Sequence, residues 1–445
     1  MQTASKKVIT GWAMYDWANS VYSLVITSSI FPAYYTSVAL ALIASGKKLT
    51  YLGRSFKEPS ALYDYAVAFS FLLVAVFSPL LSSIADAFGS KKKFMQFFCY
   101  LGSAGCCAMY WFQPDNPQFG ITLFIIASIG FGGSLVFYNA YLPEIAAEQD
   151  QDNVSAKGFA LGYIGSVILL LICLLLVTFQ PFGIPDGNKA VQISFLLTGL
   201  WWFGFAQITF AVLPKTEPNP VSRSHNFLTR GYAELRKVWN EIKQEPILKR
   251  FLIAFFFLGM GVETVMYSAV LFAKQEIFPD TGNKEIDAAN SGKLMAVILI
   301  IQVVAIGGSY LFSYFSGKIG NIKVLMIGVL IWAGICVWAY FVYTQLQFYF
   351  LAGTVGLVMG GIQSLSRSTY AKLMPPTKDT ASYFSFYDVC DKVSTVLGML
   401  TFGIVTETLG GMRNAVFFLM TYFLIAFVIF IFTLRKQKQM RLQLV

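Results

Sequence analysis

The sequence predicts an all-α membrane protein whose twelve transmembrane helices form two six-helix bundles with pseudo-symmetry. Three observations support this fold class. Of the 445 residues, 56% are hydrophobic and 13% are charged, whereas soluble proteins carry about 25% charged residues. Twelve apolar windows of roughly 20 residues are long enough to cross about 30 Å of hydrocarbon. One long polar segment, residues 214–249, separates the first six windows from the last six.

The twelve predicted spans are bounded by polar or charged turns. In chain order they cover 11–43, 61–84, 94–112, 119–142, 157–179, 190–213, 250–272, 293–315, 324–343, 347–373, 382–406 and 413–434. The first apolar run is longer than the about 7–15 apolar residues of a signal peptide. We therefore expect it to remain in the membrane as the first span.

The distribution of lysine and arginine orients the predicted helices. With the N-terminus inside, the cytoplasmic segments carry 22 of these residues and the external loops carry 9. Basic residues accumulate on the cytoplasmic side, so both termini are expected there, in a multi-pass protein of the inner or plasma membrane. The loop 44–60 runs against this rule with four basic residues outside. The net charge of +10 is thus assigned to membrane topology and not to nucleic-acid binding.

The polar segment 214–249 is predicted to join an N-terminal bundle, residues 1–213, to a C-terminal bundle, residues 250–445. The segment contains an apolar stripe at helical spacing, formed by Leu235, Val238, Trp239 and Ile242. A charged helix with one such stripe lies either in the lipid headgroup layer or as a solvated linker, and the pattern leaves both open. His225, the single histidine, falls in the same segment.

The two halves also repeat each other. IADAFGSKKKFM follows the second span and FSGKIGNIKVLM follows the eighth, which aligns Gly89 with Gly320. GFGGSLVFYNAYLPE late in the fourth span corresponds to MGGIQSLSRSTYAKLMPP late in the tenth. Resemblances in the same order on matching helices indicate an internal duplication. In transporters built from such repeats, the substrate site lies at the repeat interface near the middle of the bilayer.

The sequence has none of the motifs of an ATP-driven pump or a common hydrolase. It contains no G-x-x-x-x-G-K-[ST] loop, no H-E-x-x-H and no G-x-S-x-G. Its six cysteines fall in apolar runs without C-x-x-C spacing. We therefore expect neither an enzyme nor a cofactor or metal site. A gradient must then supply any driving force, and a carboxylate must carry any proton.

Six ionisable residues lie five or more residues from either end of a predicted span, and each charge costs about 2.5–3.5 kcal/mol at a helix centre. They are Asp16, Glu263, Arg367, Asp388, Asp391 and Lys392. At 1.5 Å per residue, Asp16, Arg367 and Asp388 are expected ~8–9 Å from the cytoplasmic ends of their helices, and Glu263 up to ~20 Å deep. Such groups must face the protein interior or a wet cavity, which makes them candidate substrate or coupling residues.

Helical spacing places several of these polar residues in stripes. Asp16, Asn19 and Tyr22 are three residues apart and share a face, and Glu263 shares one with Tyr267 at a spacing of four. The first stripe is interpreted as leading from the inner mouth towards a central site. An alternative role for Asp16 is to complement the helix dipole in the first turns.

The eleventh span carries opposite charges. Asp388 and Lys392 stand at i,i+4 in the favourable order. Asp391 points about 100° away from Lys392, so it is expected to need another partner, and Arg367 is expected to reach Asp391 or Asp388. These four residues either bind a charged or zwitterionic substrate or form a neutral cluster that holds helices together or closes the inner gate. The sequence leaves both interpretations open.

The segment SSIADAFGSKKK resembles the helix 2–3 loop motif of the major facilitator superfamily, G-x-x-x-D-x-x-G-R-K-K. Asp86, Gly89, Lys91 and Lys92 match the motif, whereas serine replaces its first glycine and its arginine. The resemblance implies the two-bundle fold of that superfamily. It also implies a gating role for the four matching residues, in which the acid braces one conformation.

Four further segments resemble the vacuole effluxer-like branch of that superfamily, as a bacterial member. They are GWAMYDWANSVYS, YNAYLPEIA, KGFALGYIGS and GGIQSLSRSTYAKLMP. The eukaryotic members of the branch are autophagy-linked vacuolar amino-acid exporters. Asn139 and Gln363, which lie in these motifs, complete the set of candidate substrate or coupling residues.

The resemblance implies a secondary transporter that moves a small polar, amino-acid-like metabolite by alternating access. Proton coupling through Glu263 and a preference for export are expected, with the lipid bilayer as environment and a monomer as the family's expected state. Two alternatives stay open. One is efflux of amphipathic drugs, which an aromatic content of 16% permits. The other is a sensor with a transporter fold that binds its ligand without moving it.

Overall fold

The computed structural model describes residues 2–181, 183–214, 227–279 and 284–443. The first half of the chain forms eight helices within these residues. In chain order they are α1 Lys6–Val21, α2 Ile30–Ala44, α3 Pro59–Ala87, α4 Lys91–Ala108, α5 Pro117–Ala140, α6 Leu142–Ile145, α7 Gln151–Phe179 and α8 Gly187–Val212. The predicted external loop 44–60 holds an antiparallel hairpin of β1, Leu49–Tyr51, and β2, Arg54–Phe56.

Seven further helices complete the described part of the chain. They are α9 Phe227–Gln244, α10 Pro246–Glu276, α11 Lys284–Ile319, α12 Asn321–Tyr340, α13 Gln345–Leu373, α14 Thr380–Leu409 and α15 Met412–Gln443. The first predicted span covers α1, α2 and the turn between them, and each of the others falls on one long helix. The helices generally extend beyond the apolar windows because their polar ends continue the same hydrogen-bond pattern. The largest extension is α11, which was predicted as 293–315.

Eleven helical segments among the described residues are long and apolar enough to cross a membrane. The predicted span that does not meet this criterion is α4, because three lysines open it and lower its apolar content. Lys91, the first of them, is nevertheless fully buried in the protein. The composition of α4 therefore reflects a buried charge at its start, and α4 completes the set of twelve spans. The twelve-helix, two-bundle fold class predicted from the sequence is confirmed.

Contacts between Cα atoms divide the chain into two compact units. The N-terminal unit comprises Ala4–Tyr141 and Leu161–Gly231, and the C-terminal unit comprises Met1–Thr3, Leu142–Ala160 and Tyr232–Val445. The segment Leu142–Ala160 thus packs with the C-terminal helices although it precedes the linker. The domain limits 1–213, 214–249 and 250–445 stay a prediction, since they were drawn from the repeat and not from contacts.

Glycine allows the closest helix crossing of the N-terminal unit. A Cβ atom on Gly130 of α5 would overlap the backbone of Gly102 on α4. One turn further along α4, a Cβ on Gly105 would meet the backbone nitrogen of Ala127 at 3.2 Å. Lipid tails are as apolar as the side chains, so membrane helices associate through close packing of small residues. This crossing aligns α4 and α5 over several turns.

Two aligned glycines end corresponding helices of the repeat. Gly89 follows α3 with φ +59, and Gly320 follows α11 with φ +91. Residues with a Cβ rarely adopt positive φ, so glycine is favoured at both turns. The same backbone requirement at aligned positions supports the internal duplication.

The linker helix α9 packs against the start of α14. Val238 and Ile242 are buried, and Trp239 stacks on Phe386 with ring centroids 5.8 Å apart. Part of the predicted apolar stripe is thus covered by protein, which neither the headgroup nor the solvated interpretation anticipated. The side chain of Leu235 lies outside the described residues.

Two ionic and polar contacts hold the same helix pair together. Lys237 pairs with Asp379 at 3.1 Å, and the hydroxyl of Tyr383 donates to Glu241 at 2.6 Å. Residues 215–226, which include His225, lie outside the described part of the chain.

We expect Gly130→Ala to lower the melting temperature of the purified protein. The added methyl group would press on the backbone of Gly102, and overpacking a well-packed interior costs about 1–3 kcal/mol. Gly204→Ala on α8 is the matched control, because its Cβ meets no described atom within 4 Å. Equal melting temperatures for the two variants in a thermal-denaturation assay would contradict the close crossing.

Candidate functional site

Close packing of α10 on α14 brings the charged residues of the C-terminal unit together. A Cβ on Gly259 would meet Cβ of Ser394 at 3.2 Å, and one on Gly398 would meet Cα of Met260 at 3.1 Å. The two glycines let the helix backbones approach closely in the turn of α10 that precedes Glu263. As a result, Glu263 lies within electrostatic range of α14, although the two helices are far apart in sequence.

The charges on α14 form a three-residue ion cluster. The ammonium of Lys392 lies 2.7 Å from Oδ2 of Asp391 and 3.9 Å from Oδ1 of Asp388. The prediction that Asp391 needs a partner other than Lys392 is therefore wrong. Its premise was the direction of the Cα–Cβ bonds, but the flexible four-carbon stem of lysine carries the ammonium round to its sequence neighbour.

Glu263 is half-buried near the middle of α10 and faces this cluster. Asp391 and Lys392 are its charged neighbours, and Gln363 of α13 lies within hydrogen-bonding reach of its carboxylate. The sequence showed no basic residue near Glu263, and the fold supplies one from α14. Tyr267, one turn further along α10, is also half-buried. Four predicted site residues of three helices thus meet at one place.

Tyr387 is a member of the cluster that the sequence analysis missed. Its phenol lies within electrostatic range of Glu263, Asp388 and Asp391, and its ring stacks on Phe255 with centroids 4.3 Å apart. The only available signal was its position next to Asp388, because tyrosines are common in apolar spans.

The cluster contains more acceptors than its own cation satisfies. Asp388 is 5% exposed, and its Oδ2 atom has no hydrogen-bond partner among the described residues. Glu263, Asp388 and Asp391 supply three carboxylates, whereas Lys392 supplies one ammonium. The side chain of Asp391 is 25% exposed, so one edge of the cluster is open. We name Glu263, Asp388, Asp391 and Lys392 the carboxylate cluster.

Arg367 is buried on α13 and bound by the start of α7. Its Nε donates to the hydroxyl of Ser155 at 2.9 Å and its Nη2 to the carbonyl of Ser155 at 2.9 Å. The guanidinium also lies 4.2 Å from the ring centroid of Phe159. These contacts tie α13 to α7. Arg367 also lies within electrostatic range of Tyr387 on α14, and its reach to Asp388 or Asp391 stays a prediction.

Asp152 is a buried charged residue that was not singled out from the sequence. It is buried, and its carboxylate accepts from Lys372 at 2.6 Å, from Ser316 at 2.6 Å and from Asn321 at 2.8 Å. One side chain at the start of α7 thus connects to α11, α12 and α13. A detectable signal was the acid-rich run EQDQD in the connection between the fourth and fifth spans.

Asp16 lies in the N-terminal unit, buried against α5. Its Oδ2 accepts a hydrogen bond from the hydroxyl of Tyr138 at 2.8 Å, and the Tyr138 ring stacks on Trp12 at 4.5 Å. The alternative in which Asp16 complements the first turn is wrong, because α1 begins at Lys6 and no acid lies in its first turn. Asn139, the next residue on α5, lies at the end of that helix.

The predicted stripe continues from Asp16 into an irregular turn. Tyr22 bonds to Ser128 of α5 at 2.7 Å, so Asp16 and Tyr22 face the same neighbouring helix. Between them, Asn19 is buried, and its amide nitrogen has no hydrogen-bond partner in the described part of the chain. The polar face predicted from the spacing of three is therefore present.

A π-helical turn, Tyr22–Thr27, separates α1 from α2. Such turns insert an extra residue into the helix and occur frequently at functional sites. The carbonyl of Thr27 accepts a hydrogen bond from the hydroxyl of Tyr63 on α3 at 2.7 Å. The irregular turn is thus supported from a neighbouring helix. Nothing in the sequence singled it out, because the apolar run continues through it.

The residues of the helix 2–3 loop motif form a buried ion pair. Lys91 lies 3.4 Å from Asp86, and both side chains are buried. Lys92 donates to the carbonyl of Leu213 at the end of α8 at 3.2 Å, and Gly89 provides the turn between the paired residues. The motif therefore joins three helices of the N-terminal unit at one end.

Comparison with known proteins places this site in a family. The family model described as "Vacuole effluxer Atg22 like" matches residues 4–443. The chain belongs to this family. A Bacillus subtilis protein named as an uncharacterized MFS-type transporter, YxiO, is 32% identical over 425 residues, covering 95% of this chain and 93% of that protein. Autophagy-related protein 22 of Kluyveromyces lactis is 27% identical, covering 85% and 80% of the two chains.

Solved structures show the same fold. The Escherichia coli fucose:proton symporter FucP aligns with a TM-score of 0.67 at 13% identity, covering 96% of this chain and 97% of that one. The human organic anion transporter MFSD10 aligns with a TM-score of 0.65 at 12% identity, covering 95% and 98% of the two chains. The predicted resemblance to the major facilitator superfamily and to its vacuole effluxer-like branch, as a bacterial member, is confirmed. This Atg22-like chain is a multi-pass membrane transporter for a small molecule and not an enzyme.

We expect Asp152→Ala and Lys372→Ala each to lower the melting temperature, and the double variant to fall little further. Removing one member of a largely buried pair leaves the other charge uncompensated, which lowers the free energy of unfolding by up to about 3–5 kcal/mol. The loss is smaller here because Lys372 is 17% exposed. The measurement is a double-mutant cycle by thermal denaturation.

Glu148→Gln, an exposed acid in the same connection, is the control and should leave the melting temperature unchanged. Additive losses from the two single variants would argue against a coupled pair.

Proposed function

We propose that this Atg22-like chain moves a small polar, amino-acid-like metabolite across the membrane by alternating access, with Glu263 carrying a coupled proton. The observation that carries this proposal is the position of Glu263. It lies near the middle of an apolar helix, beside Asp391 and Lys392 and within reach of Gln363. An ionisable group at such a depth is energetically costly, so proteins keep such groups mainly where they have a function.

The charges around Glu263 suit a polar substrate better than an amphipathic drug. A drug site is lined mainly by apolar and aromatic side chains with few polar groups, whereas here four charged side chains lie in one C-terminal site. Asp16, Asn19, Tyr22 and Asn139 supply a second polar region in the N-terminal unit. We assign these residues to the substrate path, and Tyr267 and Gln363 to the surroundings of Glu263.

Direction and location are further parts of the proposal. The family description names an effluxer, which favours export. The excess of basic residues in alternate loops favours cytoplasmic termini in the inner or plasma membrane. We propose a monomer as the working unit. Within it, Asp86, Gly89, Lys91 and Lys92 stabilise one conformation of the N-terminal unit through the buried pair of Asp86 and Lys91.

Arg367 is assigned to the closure of a path and not to the substrate itself. Its hydrogen bonds to Ser155 satisfy the guanidinium within the protein. Asp388, Asp391 and Lys392 remain as the charged groups available to a substrate on α14.

We expect Glu263→Gln to lose accumulation driven by a pH gradient while retaining exchange. Proteoliposomes would be loaded with a mixture of amino acids, and uptake of each radiolabelled amino acid would be followed with and without an imposed gradient. Because glutamine cannot take up and release the proton, accumulation under the imposed gradient should fall to the level reached without a gradient. Counterflow, which needs no net proton movement, should persist.

Glu407→Gln on α14 provides the matched control, since it makes the same chemical change at an exposed acid. It should behave as the native protein. If Glu263→Gln accumulates substrate normally under the gradient, Glu263 does not couple protons. If the native protein shows neither counterflow nor accumulation with any amino acid, the proposed substrate class is wrong.

A further inference from the structure

The carboxylate cluster holds an excess of negative charge and an unused acceptor within one unit of the protein. We infer that it binds the protonated amino group of the substrate, with Oδ2 of Asp388 accepting one of its N–H groups. This inference rests on the proposed transport function for its biological meaning, and it adds which part of the substrate is recognised and where.

The first argument is the balance of charge. Glu263 approaches Asp391 and Lys392, and Lys392 in turn pairs with Asp391 and Asp388. Three carboxylates therefore share one ammonium. A proton on one carboxylate leaves the cluster with a net charge of minus one. Arg367 also lies within electrostatic range of Tyr387 and offsets part of this charge from outside the cluster, whereas a substrate ammonium placed against Asp388 would offset it directly.

The second argument is the unsatisfied acceptor. The large majority of buried polar atoms have a hydrogen-bond partner, but Oδ2 of the buried Asp388 has none among the described residues. Its Oδ1 atom is 3.9 Å from Lys392, a distance too long for a hydrogen bond. Among the described residues, Oδ2 of Asp388 therefore remains open to a donor.

A third observation comes from a different helix. The hydroxyl of Ser366 is buried and has no hydrogen-bond partner in the described part of α13 or its neighbours. Ser364 and Ser368, on the same helix, bond back to the carbonyls of their own helix at 3.1 and 3.2 Å. Ser366 follows Gln363 by three residues, so both lie on one side of α13. Unused polar groups thus occur on α13 and on α14.

The chemistry of the site suits an ammonium group. A primary ammonium has three donors and no acceptor, and the carboxylates of Asp388 and Asp391 offer acceptors. The phenol of Tyr387 lies within electrostatic range of both. The 25% exposure of Asp391 leaves an edge through which a ligand can enter. An anionic ligand would meet three carboxylates, so the cluster does not recognise a carboxylate-only compound.

The test uses matched ligands that differ only in the amino or carboxyl group. Melting temperatures of the purified native protein in detergent are measured with norleucine, pentylamine and hexanoate, and with phenylalanine, 2-phenylethylamine and 3-phenylpropanoate. Ionic strength is held constant with choline chloride. A ligand that binds only the folded protein raises the melting temperature with its concentration. At least one amine-bearing member of a series should raise it, and hexanoate and 3-phenylpropanoate should not.

The series separates the two sources of an ammonium group. If norleucine or phenylalanine stabilises the protein and the matched amine does not, the ligand is an amino acid. If pentylamine or 2-phenylethylamine stabilises it, the substrate is an alkylamine. Both results support the inference. Stabilisation by the deaminated acids alone, by sodium chloride to the same extent as by the amines, or by none of the six compounds overturns it.

A variant locates the binding. Asp388→Asn should raise the dissociation constant of the stabilising amine at least tenfold, as expected when a charged hydrogen-bond partner is lost. Glu407→Gln should leave the constant unchanged. If Asp388→Asn does not fold, Asp391→Asn serves the same purpose, and the ligand series on the native protein stands by itself. An unaltered constant in a folded Asp388→Asn variant overturns the assignment.

This experiment is independent of the transport assay. Binding is measured in detergent without a membrane or a gradient, so loss of proton coupling in Glu263→Gln does not affect its outcome. Amine binding without transport would contradict the proposed function and support the binding site. Transport of an amino acid that is insensitive to Asp388→Asn would support the function and contradict the binding site.

Discussion

The cost of placing a charge in hydrocarbon governs the interior of this protein. Few charged side chains lie within the spans, and several of those described have a partner drawn from another helix. Asp16 is held by Tyr138, Arg367 by Ser155, and Asp152 by Lys372. Each of these contacts satisfies an expensive group and fixes two elements together. The same interactions therefore determine both helix packing and the placement of the functional groups.

The carboxylate cluster differs from the other polar contacts because its groups do not balance. At Asp152 one carboxylate meets an ammonium, a hydroxyl and an amide, and every oxygen is used. At Asp388, Oδ2 has no hydrogen-bond donor among the described residues. A fully satisfied network stabilises a packing arrangement, whereas an incompletely satisfied one has capacity for a ligand. This contrast separates the residues that maintain the fold from those assigned to the substrate.

Sequence reasoning predicted the helices well because the bilayer sets both their length and their composition. It also grouped Asp16 with Tyr22, since helical spacing decides which residues share a face. It failed where flexibility or long-range packing decides the contact. The flexible stem of Lys392 carries its ammonium to Asp391, although the two Cα–Cβ bonds point about 100° apart. The apolar stripe of α9 did not indicate that α14 would cover it. Asp152 was missed because its partners come from three separate helices. No periodicity marks the π-helical turn.

The π-helical turn Tyr22–Thr27 makes the first span two rods with a joint. The first rod, α1, is fastened to α5 through Asp16, and at the joint Tyr22 bonds to Ser128 while the hydroxyl of Tyr63 donates to the Thr27 carbonyl. A span built in this way can change the tilt of α2 while α1 keeps its attachments. Bending is then confined to a few peptide units and does not strain the whole helix. The tilt of α2 is thus decoupled from the polar residues of α1.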